Sequence, residues 1–425
     1  MLRAVHGRYQ DRVFPSPAQP SGAGRDAVTA DACPGILDLH EARDGLVARI
    51  RLPGGYASRA RLLSLAILAG RFGDGHVDLT ARGNVQVRGI RPDAADGMAQ
   101  RAAAVGLMPS PAHDRARNIT ASPLAGLAGH ADLRGLVRAL DRAIRADPGL
   151  AALPGRFLFS LDDGTGRAGI GGCDVGLWLD SGAAELVVAG RLTGIRGPAA
   201  AGIRRVAAAA RAFVDQRRAE SSGAGSGANV NAAPGSTRVA GLADGGAGVA
   251  AAAGGVLGDA VGDTADRLTL GAVPDVRNLV VIAAPLARLT TTQLRLVARM
   301  LQPGEVARLT TAGRIVLPLA VGADAAFHGA DAAGTALQRL DDAGLVVSDG
   351  HELAPVTACA GMACGRSLAE VRVLAGRVPG LGAVHWAGCD RRCGLPADAT
   401  AVVATSDGRL VLGDGAVLSA RARPA

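Results

Sequence analysis

The chain has 425 residues, room for two or three domains at roughly 150 residues each. Hydrophobic residues make up 48%, too many for wholesale disorder, yet only ten residues are aromatic, so the core must be built from Ala, Val and Leu. All 46 basic residues are Arg, which excludes Schiff-base lysines and Walker A loops, and the net charge of +8 points to an anionic partner, nucleic acid or a small polyacid.

Residues 1–30 are polar and rich in Pro, Gly and Ser, and read as a loose leader without the apolar stretch of a signal peptide. No run of roughly 18 apolar residues follows, so a cytoplasmic protein without membrane contact is expected. Leu62, Leu65, Ala66 and Ala69 recur at helical spacing after Ser58, a capping residue. HVDLT then alternates, ARGN turns, and VQVRGI alternates again. Residues 219–268 are dominated by Gly and Ala and are expected to form a flexible linker. Beyond it the pattern returns: Leu294, Val297, Ala298 and Leu301 follow threonines 290–292, and VARLT leads through TAG into RIVLP. LTARGNVQV (79–87) lies over LTTAGRIVL (309–317) without a gap, which indicates an internal duplication.

Six cysteines are present, four of them within 35 residues: Cys359, Cys364, Cys389 and Cys393, in TACAGMACGRS and HWAGCDRRCGLP. Four thiolates from two pairs can hold an iron–sulfur cluster or a tetrahedral zinc. Nothing suggests secretion, which speaks against disulfides. Zinc ribbons usually use C-x2-C, so the wider C-x4-C and C-x3-C gaps favour the cluster. Leu368, Val371 and Ala375 predict a short helix after the first pair. AVHW, AVVAT and RLVL read as strands. Arg391 and Arg392 can offset thiolate charge or stay solvated. Cys33 and Cys173 read as small buried hydrophobes. Among eight scattered histidines, His385 alone adjoins the cysteines.

The run RLPGGYASRARLLSLAILAGRFGDGHVDLTARGNVQVRGI (51–90), then RNITASPLAG, LPGRFLFSLDDG and the closing GCDRRCG, resembles the nitrite and sulfite reductase superfamily over residues 31–218 and 269–415. CPG at 33–35, LDDG at 161–164 and VHWAGCDRRCG are similar to its precorrin-3B synthases of aerobic cobalamin biosynthesis. The resemblance implies an α+β, duplicated, pseudo-twofold architecture. Its parts would be a ferredoxin-like half-domain at 31–116, a first α+β domain without cluster cysteines at 117–218, a second half-domain at 269–350 and a cluster domain at 351–425. It implies a [4Fe-4S] cluster on Cys359, Cys364, Cys389 and Cys393, with Cys393 the thiolate that bridges to sirohaem iron in the reductases. It also carries the reductases' basic anion site onto Arg82, Arg117 and Arg156. Asn84 and Gln86, alternating with Arg82, are expected on the same side as further substrate contacts.

Two departures matter. The family spaces the first pair C-x5-C, and Leu158 stands where the reductases place the second lysine of LPRKFK. Loss of that cation favours the synthase. That enzyme class hydroxylates precorrin-3A with oxygen and closes a lactone, drawing electrons ultimately from NADH through a separate ferredoxin or reductase. Whether a second iron or sirohaem is present stays open. Rival readings are a sirohaem-dependent nitrite or sulfite reductase and a zinc-stapled nucleic-acid binder. Against the latter stand ten aromatics and 38 acidic residues.

Overall fold

A computed structural model describes residues 33–180, 182–223, 236–264, 268–320, 332–377, 381–396, 399–413 and 415–418. The expected leader lies outside them. β1 (His40–Ala42) and β2 (Gly45–Ile50) form a hairpin, and β3 (Tyr56–Ser58) runs directly into α1 (Arg59–Phe72). Ser58 caps α1 as its position predicts, its hydroxyl accepting from the Arg61 N–H at 3.3 Å. Leu62, Leu65, Ala66 and Ala69 form the buried stripe of α1. β4 (His76–Leu79) and β5 (Val85–Ile90) pair antiparallel, and α2 (Ala95–Ala104) follows. Alternation sends Val77, Val85 and Val87 into the core and leaves Asp78 and Gln86 on the other face of the sheet.

The next unit comprises β6 (Ile119–Ala121), α3 (Arg134–Ala146), β7 (Phe159–Asp162), β8 (Val175–Asp180), β9 (Ala183–Val188), β10 (Arg191–Gly197), α4 (Ala199–Gly223) and α5 (Ala247–Ala252). Strands β6, β7 and β8 are parallel, and β9 and β10 complete the sheet antiparallel. The expected linker is corrected here. α4 extends through Gly223, and Val239, Leu242, Val249 and Ala250 are buried in the same core as Val206 and Phe213. A Gly- and Ala-rich composition hid these few aliphatic residues, which suffice to pin the segment. Within the expected linker, residues 224–235 and 265–267 lie outside the described residues.

The pattern then repeats. β11 (Gly271–Ala272), β12 (Leu279–Ala283), β13 (Arg288–Thr290), α6 (Thr291–Met300), β14 (Val306–Leu309), β15 (Arg314–Pro318) and α7 (Ala332–Asp342) mirror the first unit. The threonine run supplies a capping box, in which Thr290 and Gln293 each bond the other's backbone N–H. β16 (Val356–Ala358), α8 (Val371–Ala375), β17 (Val384–Ala387), β18 (Thr400–Ala404), β19 (Leu410–Leu412) and β20 (Val417–Leu418) repeat the second unit. Three parallel strands are again followed by two antiparallel ones. α8 is shorter than its pattern predicts. The Leu368 N–H bonds Gly388 O at 2.7 Å, holding that residue outside the helix, 52% exposed.

The two ferredoxin-like sheets exchange strands. Their orders are β1-β2-β5-β4-β13 and β11-β12-β15-β14-β3, so each ends on a strand of the other half. Gly55 permits the crossing: its φ is +69°, and a Cβ there would lie 2.2 Å from Leu309 O. One core, from Ile50 and Leu65 to Val297 and Ile315, spans both halves. No helix among the described residues is long and apolar enough to cross a membrane.

Candidate functional site

β16 and β17 run parallel, and each delivers a cysteine pair just beyond its C-terminal end. A 3-10 turn over Gly361–Ala363, closed by the Cys364 N–H on Gly361 O at 2.9 Å, brings Cys364 round despite the shortened spacing. Cys359 Sγ accepts the N–H of Gly361 at 3.4 Å and of Gly388 at 3.2 Å. Gly388 has no alternative, since a Cβ there would stand 1.8 Å from Ser367 Oγ. Burial, together with neighbouring Cys389, Cys364 and Cys359, pushes the Cys393 thiol up, while Arg391 pulls it down. Cys393 thus lies within electrostatic reach of the other three thiols, and Arg391, though exposed, is close enough to act on it. His385 is buried beneath them. Its Nε2 donates to Cys393 O at 3.1 Å and its Nδ1 accepts from Thr357 Oγ1 at 2.9 Å. Burial lowers its pKa to about 4, which keeps the ring neutral.

All six cysteines are free thiols. Among the described residues no group of three or more His, Cys, Asp or Glu is placed to hold a single metal ion. Thiols from two loops at the ends of adjacent strands could serve as ligands to an iron–sulfur cluster or to a metal ion. Backbone N–H groups aimed at Cys359 sulfur fit a thiolate ligand equally well.

An arginine group lies on the outer face of the first ferredoxin-like sheet. Arg49, Gln86, Asp78 and Arg288 stand in register across β2, β5, β4 and β13. With its carboxamide oxygen turned to the guanidinium, Gln86 accepts from Arg49 Nη2 at 2.9 Å. Arg49 Nη1 reaches Cys33 Sγ at 3.6 Å. Arg82 donates to Arg156 O at 2.9 Å, and burial with nearby Arg238 lowers its pKa to about 10, so it remains a cation at neutral pH. Buried Arg51 donates to Pro34 O at 2.8 Å and Gly155 O at 3.5 Å, tying the CPG segment to the loop that carries Arg156. At the other end of the row, Arg372 pairs with Asp78 at 3.1 Å and donates to Cys359 O at 2.9 Å. Arg88 and Arg43 bond Ala363 O in the cysteine turn. A continuous polar row thus joins the arginine group to the cysteine group.

The predicted contact residues divide. Arg82 bonds the Arg156 carbonyl and feels the charges of Arg238 and Arg49, while Gln86 belongs to the row. Asn84 does not: it is buried, accepts the Leu52 N–H at 2.9 Å and donates to Asn118 Oδ1 at 2.6 Å, a structural bridge. Arg156 contributes its carbonyl, and its side chain is exposed. Arg117 is buried against Asp141, Nε to Oδ1 2.6 Å, so its guanidinium is committed to helix α3. Asn118 and Arg117 are neighbours in extended chain and point opposite ways, which separates Arg117 from Arg82. Leu158 is buried with Ile170, Cys173 and Val187 and offers no charge. Cys173 is the buried hydrophobe expected of it, whereas Cys33 contacts Arg49 and is half-buried. Arg49 was missed, although its alternation with buried Ala48 and Ile50 in VARI marks it. Arg238 carries no such signal. It lies in the expected linker, pairs with Asp174 at 2.6 Å and acts on Arg82.

Residues 40–105 match the model of the nitrite/sulfite reductase ferredoxin-like half domain. The chain is 36% identical over 117 residues to the ferredoxin–nitrite reductase of Leptolyngbya laminosa, covering 26% of this chain and 23% of that one. It is 35% identical over 126 residues to that of Synechococcus elongatus, 28% and 25% of the two chains. It is 36% identical over 69 residues to the precorrin-3B synthase of a Sinorhizobium species, 16% and 15%. Each alignment therefore spans a quarter or less of the relative's own length. The structure of Mycobacterium tuberculosis NirA superposes with a TM-score of 0.66 at 20% identity, covering 88% of this chain and 77% of NirA, and so shares the fold. Residues 40–105 therefore carry a nitrite/sulfite reductase-type ferredoxin-like half domain, and the chain shares the duplicated fold of NirA.

Proposed function

We propose that the chain catalyses the precorrin-3B synthase reaction, oxygen-dependent hydroxylation of precorrin-3A with closure of a lactone. The observation that carries this reading is the make-up of the face beside the cysteines. Arg49 and Arg82 offer guanidinium groups to a substrate bearing many carboxylates, with Arg238 adding positive charge near Arg82, while Leu158 is buried among aliphatic side chains where a reductase carries a lysine. Arg82, set by its bond to Arg156 O, and Arg49, set by Gln86, would fix the orientation of the macrocycle. Cys359, Cys364, Cys389 and Cys393 would hold a [4Fe-4S] cluster, which when bound supplies single electrons. Neutral His385 would keep the Cys393 loop in place without adding charge. One oxygen atom goes to the new hydroxyl and the other to water, with electrons ultimately from NADH through a separate ferredoxin or reductase.

The sequence matches to nitrite reductases are longer than the match to the synthase, and they favour a sirohaem-dependent reductase as second reading. One preparation decides between them: anaerobically purified protein assayed for iron, acid-labile sulfide, zinc and absorption, then given precorrin-3A, reductant and oxygen. Iron and sulfide in equal amounts without sirohaem bands, with a hydroxylated lactone seen by mass spectrometry, support the synthase. Sirohaem bands with nitrite or sulfite turnover replace it, and zinc without sulfide removes both readings.

A further inference from the structure

Helix α3 carries Arg134, Arg138, Arg142 and Arg145 along one stripe, with like charges stacked three times at the i to i+3 or i+4 spacing that destabilises a helix. These four, with Arg61 and Arg117, line a cavity of about 320 Å³ between α3 and the start of α1. Asp141 is the acid in its lining, already shared between Arg117 Nε at 2.6 Å and Arg145 Nε at 3.1 Å. Arg134 is held by Asp132 and Glu305. Among the described residues no acid pairs with Arg138 or Arg142. The buried Arg117 keeps its Nη1 without a hydrogen-bond partner at the cavity wall. Burial and the charge of Arg117 together lower the pKa of Arg61, so the cavity stores cation repulsion that a bound anion would relieve. Tyr56, Val137 and Val306 form an apolar side on which a carbon body can rest.

We propose that this cavity binds a metabolite-sized polyanion, a molecule with phosphate or clustered carboxylate groups, at a site separate from the arginine group beside the cysteines. Its volume lies at the small end of ligand sites, which suits a metabolite rather than a macrocycle. Arg138 and Arg142 are exposed, so replacing them leaves the core untouched. The test titrates the full chain calorimetrically with inorganic pyrophosphate and, separately, with citrate. Saturable binding of one equivalent is expected for at least one probe. The double substitution Arg138→Gln, Arg142→Gln should weaken it by about tenfold or more, while Arg82→Gln should leave it within about twofold. Preference for pyrophosphate would identify a phosphorylated ligand, and preference for citrate a polycarboxylate, either of which supports the site. Absence of saturable binding for both probes overturns the proposal. So does binding that the double substitution leaves intact, or that Arg82→Gln abolishes equally.

Discussion

At the scale of single residues, what a side chain touches decides its value. Arg82 bonds the carbonyl of Arg156, whose own guanidinium is exposed. Under the proposed function, Arg82→Gln is therefore expected to weaken anaerobic precorrin-3A binding by about tenfold and Arg156→Gln by less than about threefold, read from an absorbance titration. Equal losses would contradict this geometry. Cys389→Ser should abolish bound iron and sulfide, and Cys33→Ser should retain both, with far-ultraviolet dichroism showing both proteins folded. Asp174 illustrates a pH effect. Burial holds its carboxyl above the usual range, although Arg238 and the N–H groups of Leu158 and Val239 oppose the shift. A carboxyl raised on folding favours the native state below its unfolded pKa, and that contribution is lost as pH rises through the folded value. Removing Arg238 pushes the folded value higher. Arg238→Gln should cost about 2 kcal/mol at neutral pH. It should also lose stability more steeply than the parent as pH rises above the ordinary carboxylate range in urea melts, and parallel pH profiles would refute the pairing.

Among the elements, the segment after α4 shows how little apolar surface is needed to hold a chain in place. Its composition predicts that deletion leaves folding intact. Its structure predicts the reverse, because Val239, Leu242 and Val249 fill the core against α4 and Arg238 neutralises buried Asp174. Deleting residues 236–264 should collapse soluble yield. Val249→Asp alone should cost more than about 3 kcal/mol, since an unpaired carboxylate would replace a fully buried side chain. A soluble, normally melting deletion variant would restore the linker reading.

For the whole molecule, the strand exchange makes the two ferredoxin-like halves interdependent. Without β13 the first sheet has an open edge beside β4, and without α6 the apolar face of α1 loses part of its core. A fragment of residues 33–116 is expected to lack a cooperative melt alone and to gain one when co-expressed with residues 268–350. Independent cooperative folding of the first fragment would show the exchange to be dispensable. Duplication itself was legible in LTARGNVQV and LTTAGRIVL, because both halves repeat the same alternation. The exchange was not, since a short strand such as YAS has no feature that says whose sheet it joins.

Helical period, alternation and capping chemistry determined from the sequence alone that α1, α6 and the paired strands form, that the molecule is duplicated, and that four cysteines gather at one end of the chain. These signals are local, set by the geometry of the backbone over a few residues. Which polar residues meet one another was decided only by tertiary structure. Gln86 lies in the row that leads to Cys359 and Arg82 bonds the Arg156 carbonyl, whereas Asn84 turns inward and Arg117 turns to α3. Arg238 enters from a segment whose composition promised nothing. A guanidinium five bonds from its Cα finds its partner through the packing of distant elements, and spacing along the chain holds no record of that.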